Sequence, residues 1–187
     1  MRVKGNGIRP GMVIMHDNHL WLAVKTQHTM PGKGGAYMQV ELKNLRTGTK
    51  LNERFRASED VEEVELDDND CQFLFAEGDL YTFMDTETYE QIQIARDLIG
   101  DNAVYLQDGM SVVVSSYEGS PLGVRIPDTV TLDIVETETT MRGQTATASY
   151  KPAKLANGVR VMVPPFIDNG ARIIVNTADN TYVRRAE

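Results

Sequence analysis

The chain has 187 residues, 41% hydrophobic and 25% charged, an ordinary balance for a folded globular protein of one large domain or two to three small ones. No run of about 18 apolar residues occurs, and the start, MRVKGNGIRPGMVI, lacks the apolar stretch of a signal peptide, so neither a membrane span nor export is expected. The net charge of −8 argues against a uniformly basic nucleic-acid binder, but it hides a partition: residues 1–64 carry +3, residues 65–128 carry −12 and residues 129–187 carry +1. Such asymmetry suits a modular molecule whose outer parts can meet phosphate while the middle faces elsewhere. It suits equally well a middle domain that is simply acidic and well solvated.

In chain order the hydrophobic pattern has mostly period two, with turn residues every eight to twelve positions, and predicts an all-β protein. LWLAVKT at 20–26 and AYMQVELKNL at 36–45 read as strands, and RTGTK at 46–50 turns the chain into LNERFRA. CQFLFAEGDLYTFMD reads as two strands around a Gly-Asp turn at 78–79. In TYEQIQIARDLIG at 88–100 the Thr, Tyr and two Ile favour a strand through about Ala95, followed by a short helical turn that ends at Gly100. SVVVSSYEG, TVTLDIVETE, GVRVMVPPF and ARIIVNT complete the strand set. Many short strands at this spacing imply small barrels or sandwiches. The charged run ASEDVEEVELDDND at 57–70 and RIPDTVTL at 125–132 read as boundaries, which divides the chain into 1–64, 65–128 and 129–187. Modules of about 60 residues lie near the lower limit for an independent core and should lean on one another.

Between the first two strands lies HTMPGKGGAY, with one cation, Lys33, amid Pro31, Gly32, Gly34 and Gly35. A hairpin with arms of roughly seven residues would hold this loop ~20 Å from the body at about 3.3 Å per residue. Pro31 limits the entry to the loop, and the glycines remove side chains that would keep a crowded partner away. The segment fits an ordinary solubilising hairpin turn as well. It does not fit a phosphate-binding P-loop, which needs Ser or Thr after its Lys where Gly34 stands. A Schiff-base enzyme would need a desolvated, neutral lysine, whereas a glycine-flanked tip keeps Lys33 hydrated and charged.

Other chemistry-bearing residues are sparse. His16, His19 and His28 show no zinc-ligand spacing with Cys71, and no metal or cofactor site is expected. Cys71, inside CQFLF, reads as a buried hydrophobe, and the nine methionines read as core filling. Asp85, Glu87 and Glu90 could pair for acid–base work, or could surround a turn with Tyr89 packed and the acids solvated. No catalytic set emerges.

MRVKGNGIRPGMVI, PGKGGAY, ELKNLRTG, FMDTETYEQI and KPAKLANGVRVMVPPFIDNGARIIVNTADNTYVRR occur in the order and spacing of bacterial elongation factor P, which the chain resembles over essentially its whole length. The resemblance implies three β-barrel domains in an L, an SH3-like or KOW-like domain followed by two OB-fold domains. It implies a cytoplasmic, monomeric translation factor, not an enzyme, that binds ribosomal RNA and proteins beside peptidyl-tRNA and relieves stalling at consecutive prolines. Lys33 matches the residue that reaches the tRNA acceptor end, which a lysine-modifying enzyme extends in some members of the family. Gly35 departs from the pattern with proline on both sides of the loop and favours an extended lysine. Tyr182, Arg184 and Arg185 resemble a terminal RNA-contacting patch. Gly143, Gln144 and Thr145 stand where many members carry a Gly-Asp-Thr loop near the exit-site mRNA codon, and Gln144 replaces an acceptor-only carboxylate with an amide that also donates. Ala171 and Asn176 likewise replace common acidic residues. The paralogous factor-P-like branch and a general RNA-binding OB protein are the neighbouring alternatives; the latter needs a basic groove with several stacking aromatics, which a −12 middle module does not offer.

Overall fold

A computed structural model describes residues 1–139 and 149–187, and within them the protein is almost entirely β. The chain divides into two compact units, residues 1–69 with 114–123, and residues 70–113 with 124–187.

In the first unit, β1 (Arg2–Lys4), β2 (Val13–His16), β3 (His19–Thr29), β4 (Tyr37–Asn44), β5 (Lys50–Arg56) and β6 (Asp60–Glu63) form one sheet in the order β1-β6-β2-β3-β4-β5. Alternation drives the strands: in β4, Met38, Val40 and Leu42 are buried while Gln39 and Lys43 are exposed. These residues meet Ile8, Ile14, Trp21, Ala23, Phe55 and Val61 in a single cluster. The Trp21 indole donates to the His16 carbonyl at 3.0 Å, which satisfies its one donor inside the core. Asp17 and Asn18 both take positive φ, so a two-residue turn joins His16 to its cross-strand partner His19. The charged run expected as a boundary contains β6. Val61 packs at 6% exposure opposite Val3, while Asp60 points out to an ion pair with Lys4 at 2.6 Å. A short strand with one buried residue leaves too little period-two signal among so many carboxylates.

The next sheet has the order β11-β10-β7-β8-β9, from β7 (Asp67–Glu77), β8 (Leu80–Asp85), β9 (Gln91–Ala95), β10 (Ser111–Tyr117) and β11 (Ser120–Arg125). Phe73 and Phe83 meet in its core as tilted rings with centroids 5.4 Å apart, and Cys71 is buried beside them in the ladder, as expected for a small hydrophobe. β9 ends at Ala95, and the helical turn α1 (Arg96–Ile99) closes on Gly100 at φ +84, so the strand-then-turn expectation holds.

The C-terminal sheet, in the order β14-β13-β12-β15-β16, is formed by β12 (Thr129–Thr137), β13 (Lys151–Leu155), β14 (Arg160–Val163), β15 (Arg172–Asn176) and β16 (Thr181–Arg185). Its core holds Ile134, Leu155, Val163, Ile167, Ile173 and Val175, each almost fully buried. Within the second unit, the 3₁₀ turn at Asp101–Tyr105 joins the two sheets. The buried Tyr105 hydroxyl donates to the Asn180 side-chain oxygen, Asn157 Nδ2 donates to the Val104 carbonyl at 3.0 Å, and Gln107 Nε2 donates to the Thr131 carbonyl at 3.3 Å. Burial, with Asp179 nearby, pushes the Tyr105 hydroxyl above its ordinary pKa, so it stays a donor.

Candidate nucleic-acid interface

The β3–β4 ladder closes at Thr29 opposite Tyr37, and residues 30–36 cross between the strands. Pro31, Gly32, Lys33, Gly34 and Gly35 are all exposed, with a bend over 32–34. Gly34 has φ +104, a conformation that favours glycine, and side-chain space at Gly32, Gly34 and Gly35 is open to 4 Å. Met30 is 76% exposed, so this methionine does not fill the core. The expected stand-off of ~20 Å is too large. Met38, next to the last ladder pair, is 4% exposed in the core, and β5 flanks β4 as far as Arg56 opposite Tyr37. Only the loop itself stands beyond the ladder, and seven residues that leave and return can reach roughly 10 Å.

Under the loop lies a basic face that the pattern LNERFRA already encodes. Leu51 and Glu53 are half-buried and Phe55 is buried, while Asn52, Arg54 and Arg56 are exposed on the opposite side of β5. Register puts Arg54 in a row with Gln39 and Gln27, and Arg56 in a row with Tyr37 and Thr29. The Arg54 guanidinium lies 4.2 Å from the centroid of the Tyr37 ring, which fixes a cation at the root of the loop. Sequence reading named neither arginine, although the alternation was there to be used.

At the other end of the chain, Tyr182 on β16 pairs with Val175, Arg184 with Ile174 and Arg185 with Ile173. A register shift between Ile174 and Val175 leaves Val183 without a partner. Cross-strand partners share a face, so this bulge reverses the ordinary alternation. Tyr182, half-buried, falls on the face of Arg185, and Arg184 falls on the other; Arg184 and Arg185 are both exposed. Asn176, half-buried, accepts from the Ala178 amide at 2.9 Å and so shapes the β15–β16 turn. Gly143, Gln144 and Thr145 lie outside the described residues.

The remaining chemistry resolves into local structure. Asp85 accepts the amides of Thr88 at 3.1 Å and Glu87 at 2.8 Å, and these bonds, that from Thr88 foremost, hold its carboxyl below the usual range, the opposite of what a general acid needs. Tyr89 does not pack as expected: it sits at φ +62 in the turn, 72% exposed. His16 Nε2 lies 3.4 Å from both Asp17 Oδ2 and Glu53 Oε2, and the ring meets Phe55 edge-on. Among the described residues no group of three His, Cys, Asp or Glu could hold a metal ion, and no described helix is long and apolar enough to cross a membrane.

Comparison with known proteins accounts for the whole chain. The elongation factor P KOW-like domain matches residues 4–61, the elongation factor P OB domain residues 66–124, and the elongation factor P C-terminal domain residues 130–185. Elongation factor P of Parvibaculum lavamentivorans is 60% identical over 187 residues, and that of Brucella canis 58% over 186, each with full coverage of both chains. The solved structure of eukaryotic translation initiation factor 5A from Methanococcus jannaschii shares 25% identity at a TM-score of 0.55, over 68% of this chain and 92% of that one. The exposed lysine loop, the all-β architecture and full-length identity near 60% lead to one conclusion: the chain belongs to the elongation factor P family of translation elongation factors.

Proposed function

We propose that this protein binds the ribosome beside peptidyl-tRNA in the cytoplasm and promotes peptide-bond formation at consecutive prolines by positioning the tRNA acceptor end. The observation that carries this reading is Lys33, an exposed cation on an open, glycine-flanked bend. Proline is a poor reactant because its ring fixes φ and its nitrogen is a constrained secondary amine. A cation held among the phosphates near the acceptor end lowers an orientational barrier without a protein acid, base or nucleophile, so the protein acts as a positioning factor and not as an enzyme. Lys33 is also the position that a lysine-modifying enzyme would extend, and its exposure on the bend supports access to it. In this reading residues 1–64, 65–128 and 129–187 act as three domains of a monomer. Arg54 and Arg56 support the loop from below, and Tyr182, Arg184 and Arg185 meet RNA through two faces of β16. Gly143, Gln144 and Thr145 would approach the exit-site codon.

The test is Lys33→Ala in a purified translation reaction on a message with a proline run. Rescue should be lost while the thermal midpoint stays almost fixed, since exposed substitutions away from packing usually change stability by less than about 0.5 kcal/mol. Equal rescue by variant and wild type would remove Lys33 from the mechanism.

A further inference from the structure

Three methionines are exposed among the described residues: Met1 at the terminus, Met162 on β14 and Met30 at the mouth of the lysine loop. Met12, Met15, Met38, Met84 and Met110 are buried or half-buried, and the Met12 sulfur accepts from the Arg9 amide at 3.1 Å. Met30 and Met38 belong to one hairpin, yet Met38 packs in the core of the first sheet at 4% exposure while Met30 stands at 76%.

The backbone accounts for the contrast. Thr29 opposite Tyr37 is the last pair of the ladder, so Met30 has no cross-strand partner. Pro31 disfavours the helical region for the residue before it and keeps Met30 extended. Continued alternation puts Met30 on the face of His28 and Met38, one step past the end of the ladder, where its side chain stays in water. Three residues on is Lys33, at most about 11 Å away along the chain.

A thioether carries its lone pairs at every pH, so access governs its oxidation. In a two-electron step the sulfur attacks one oxygen of hydrogen peroxide and the O–O bond breaks. The attacked oxygen stays on sulfur as the sulfoxide, and its proton passes to the departing hydroxide, which leaves as water. Sulfur is oxidised and peroxide is reduced. The product replaces an adaptable apolar side chain with a polar one. Its hydration must be stripped wherever the loop enters a crowded partner, and that desolvation opposes entry.

We propose that Met30 is an oxidation site through which a peroxide switches the lysine loop off. A methionine sulfoxide reductase switches it on again: a dithiol supplies two electrons and closes to a disulfide, and the sulfoxide oxygen leaves as water. The proposal rests on the reading of the Lys33 loop given above and adds a second reactive side chain to that loop.

The test treats the full chain with dilute hydrogen peroxide, removes the peroxide with catalase, and divides the protein between peptide mass mapping and the proline-run translation reaction. The mass gain of one oxygen is expected at Met30 well before Met38. Loss of rescue should rise in step with the Met30 sulfoxide fraction, to about 3- to 10-fold at full conversion, a share of what burying a methionine side chain is worth. Met30→Leu keeps the apolar bulk without the sulfur. Scored against its own untreated rate, it should lose almost nothing under the same treatment. Reductase with dithiothreitol should restore the treated wild type.

Equal loss in Met30→Leu and wild type would assign the damage to another side chain, such as Met162 or Cys71, and overturn the proposal. So would conversion of Met30 no faster than that of Met38, full rescue at complete conversion, or rescue that stays lost once the reductase has removed the sulfoxide. Equal rescue by untreated wild type and untreated Lys33→Ala would overturn the underlying reading instead.

Discussion

β3 and β7 are the same device with opposite ends. Each runs for eleven residues, each carries one register shift, between Ala23 and Lys25 or between Phe73 and Phe75, and each turns into an antiparallel partner. β3 ends in a seven-residue crossing around Lys33, over a face that bears Arg54 and Arg56, whereas β7 ends in the Gly78–Asp79 turn beside Glu77. The ladder is indifferent to this contrast, because backbone hydrogen bonds and inward alternation are satisfied in both. Partner choice therefore resides in the length and charge of the hairpin ends, which can diverge while the sheets stay the same.

The strongest way to break the comparison is to make the basic end as short as the acidic one. Replacing residues 30–36 by Asn-Gly, a two-residue turn compatible with the Thr29–Tyr37 pair, should abolish proline-run rescue while the molecule still folds. Retained rescue would mean that the loop's reach is irrelevant. A smaller effect is expected at the root of the basic hairpin. The Cβ of Gly5→Ala would stand 2.1 Å from the Arg56 carbonyl oxygen, and forced repacking of this kind costs ~1–3 kcal/mol in urea unfolding. The smallest effect belongs to the acidic turn. Gly78 has φ +61 but nothing within 4 Å, so Gly78→Ala bears only the left-handed backbone cost of about 1 kcal/mol. A Gly78→Ala penalty above that of Gly5→Ala would reverse the reading of which hairpin is the tightly packed one.

Much of this was legible in the residues themselves. Period-two runs locate the strands around Met38 and Val40, and Ile92, Ile94 and Gly100 place the end of β9 and the turn after it, because those signals are local. The β-rich flanks LWLAVKT and AYMQVELKNL likewise place Lys33 between two strands. What stayed hidden depends on pairing. The bulges at Val183 and before Phe75 are properties of two strands at once, and they alone decide that Tyr182 shares a face with Arg185 and that Phe75 faces outward. The ~20 Å stand-off failed for the same reason, since the length of a hairpin says nothing about which neighbour flanks it. Met30 and Met162, exposed at 76% and 51%, show that methionine content alone does not locate a core.

The seam at residues 101–107 also has a mechanical consequence. The hydroxyl of Tyr105, the amide of Asn157 and the amide of Gln107 tie the middle sheet to the C-terminal one, and Thr177 clasps the connecting chain by donating to the Pro127 carbonyl at 2.8 Å. For residues 70–113 and 124–187 to bend against one another, these bonds must open together and the buried Tyr105 ring must enter water. This part of the protein therefore behaves as a stiff strut. In hydrogen exchange the amides of Ala103 and Leu106 should therefore open with the unit as a whole, not as a local turn.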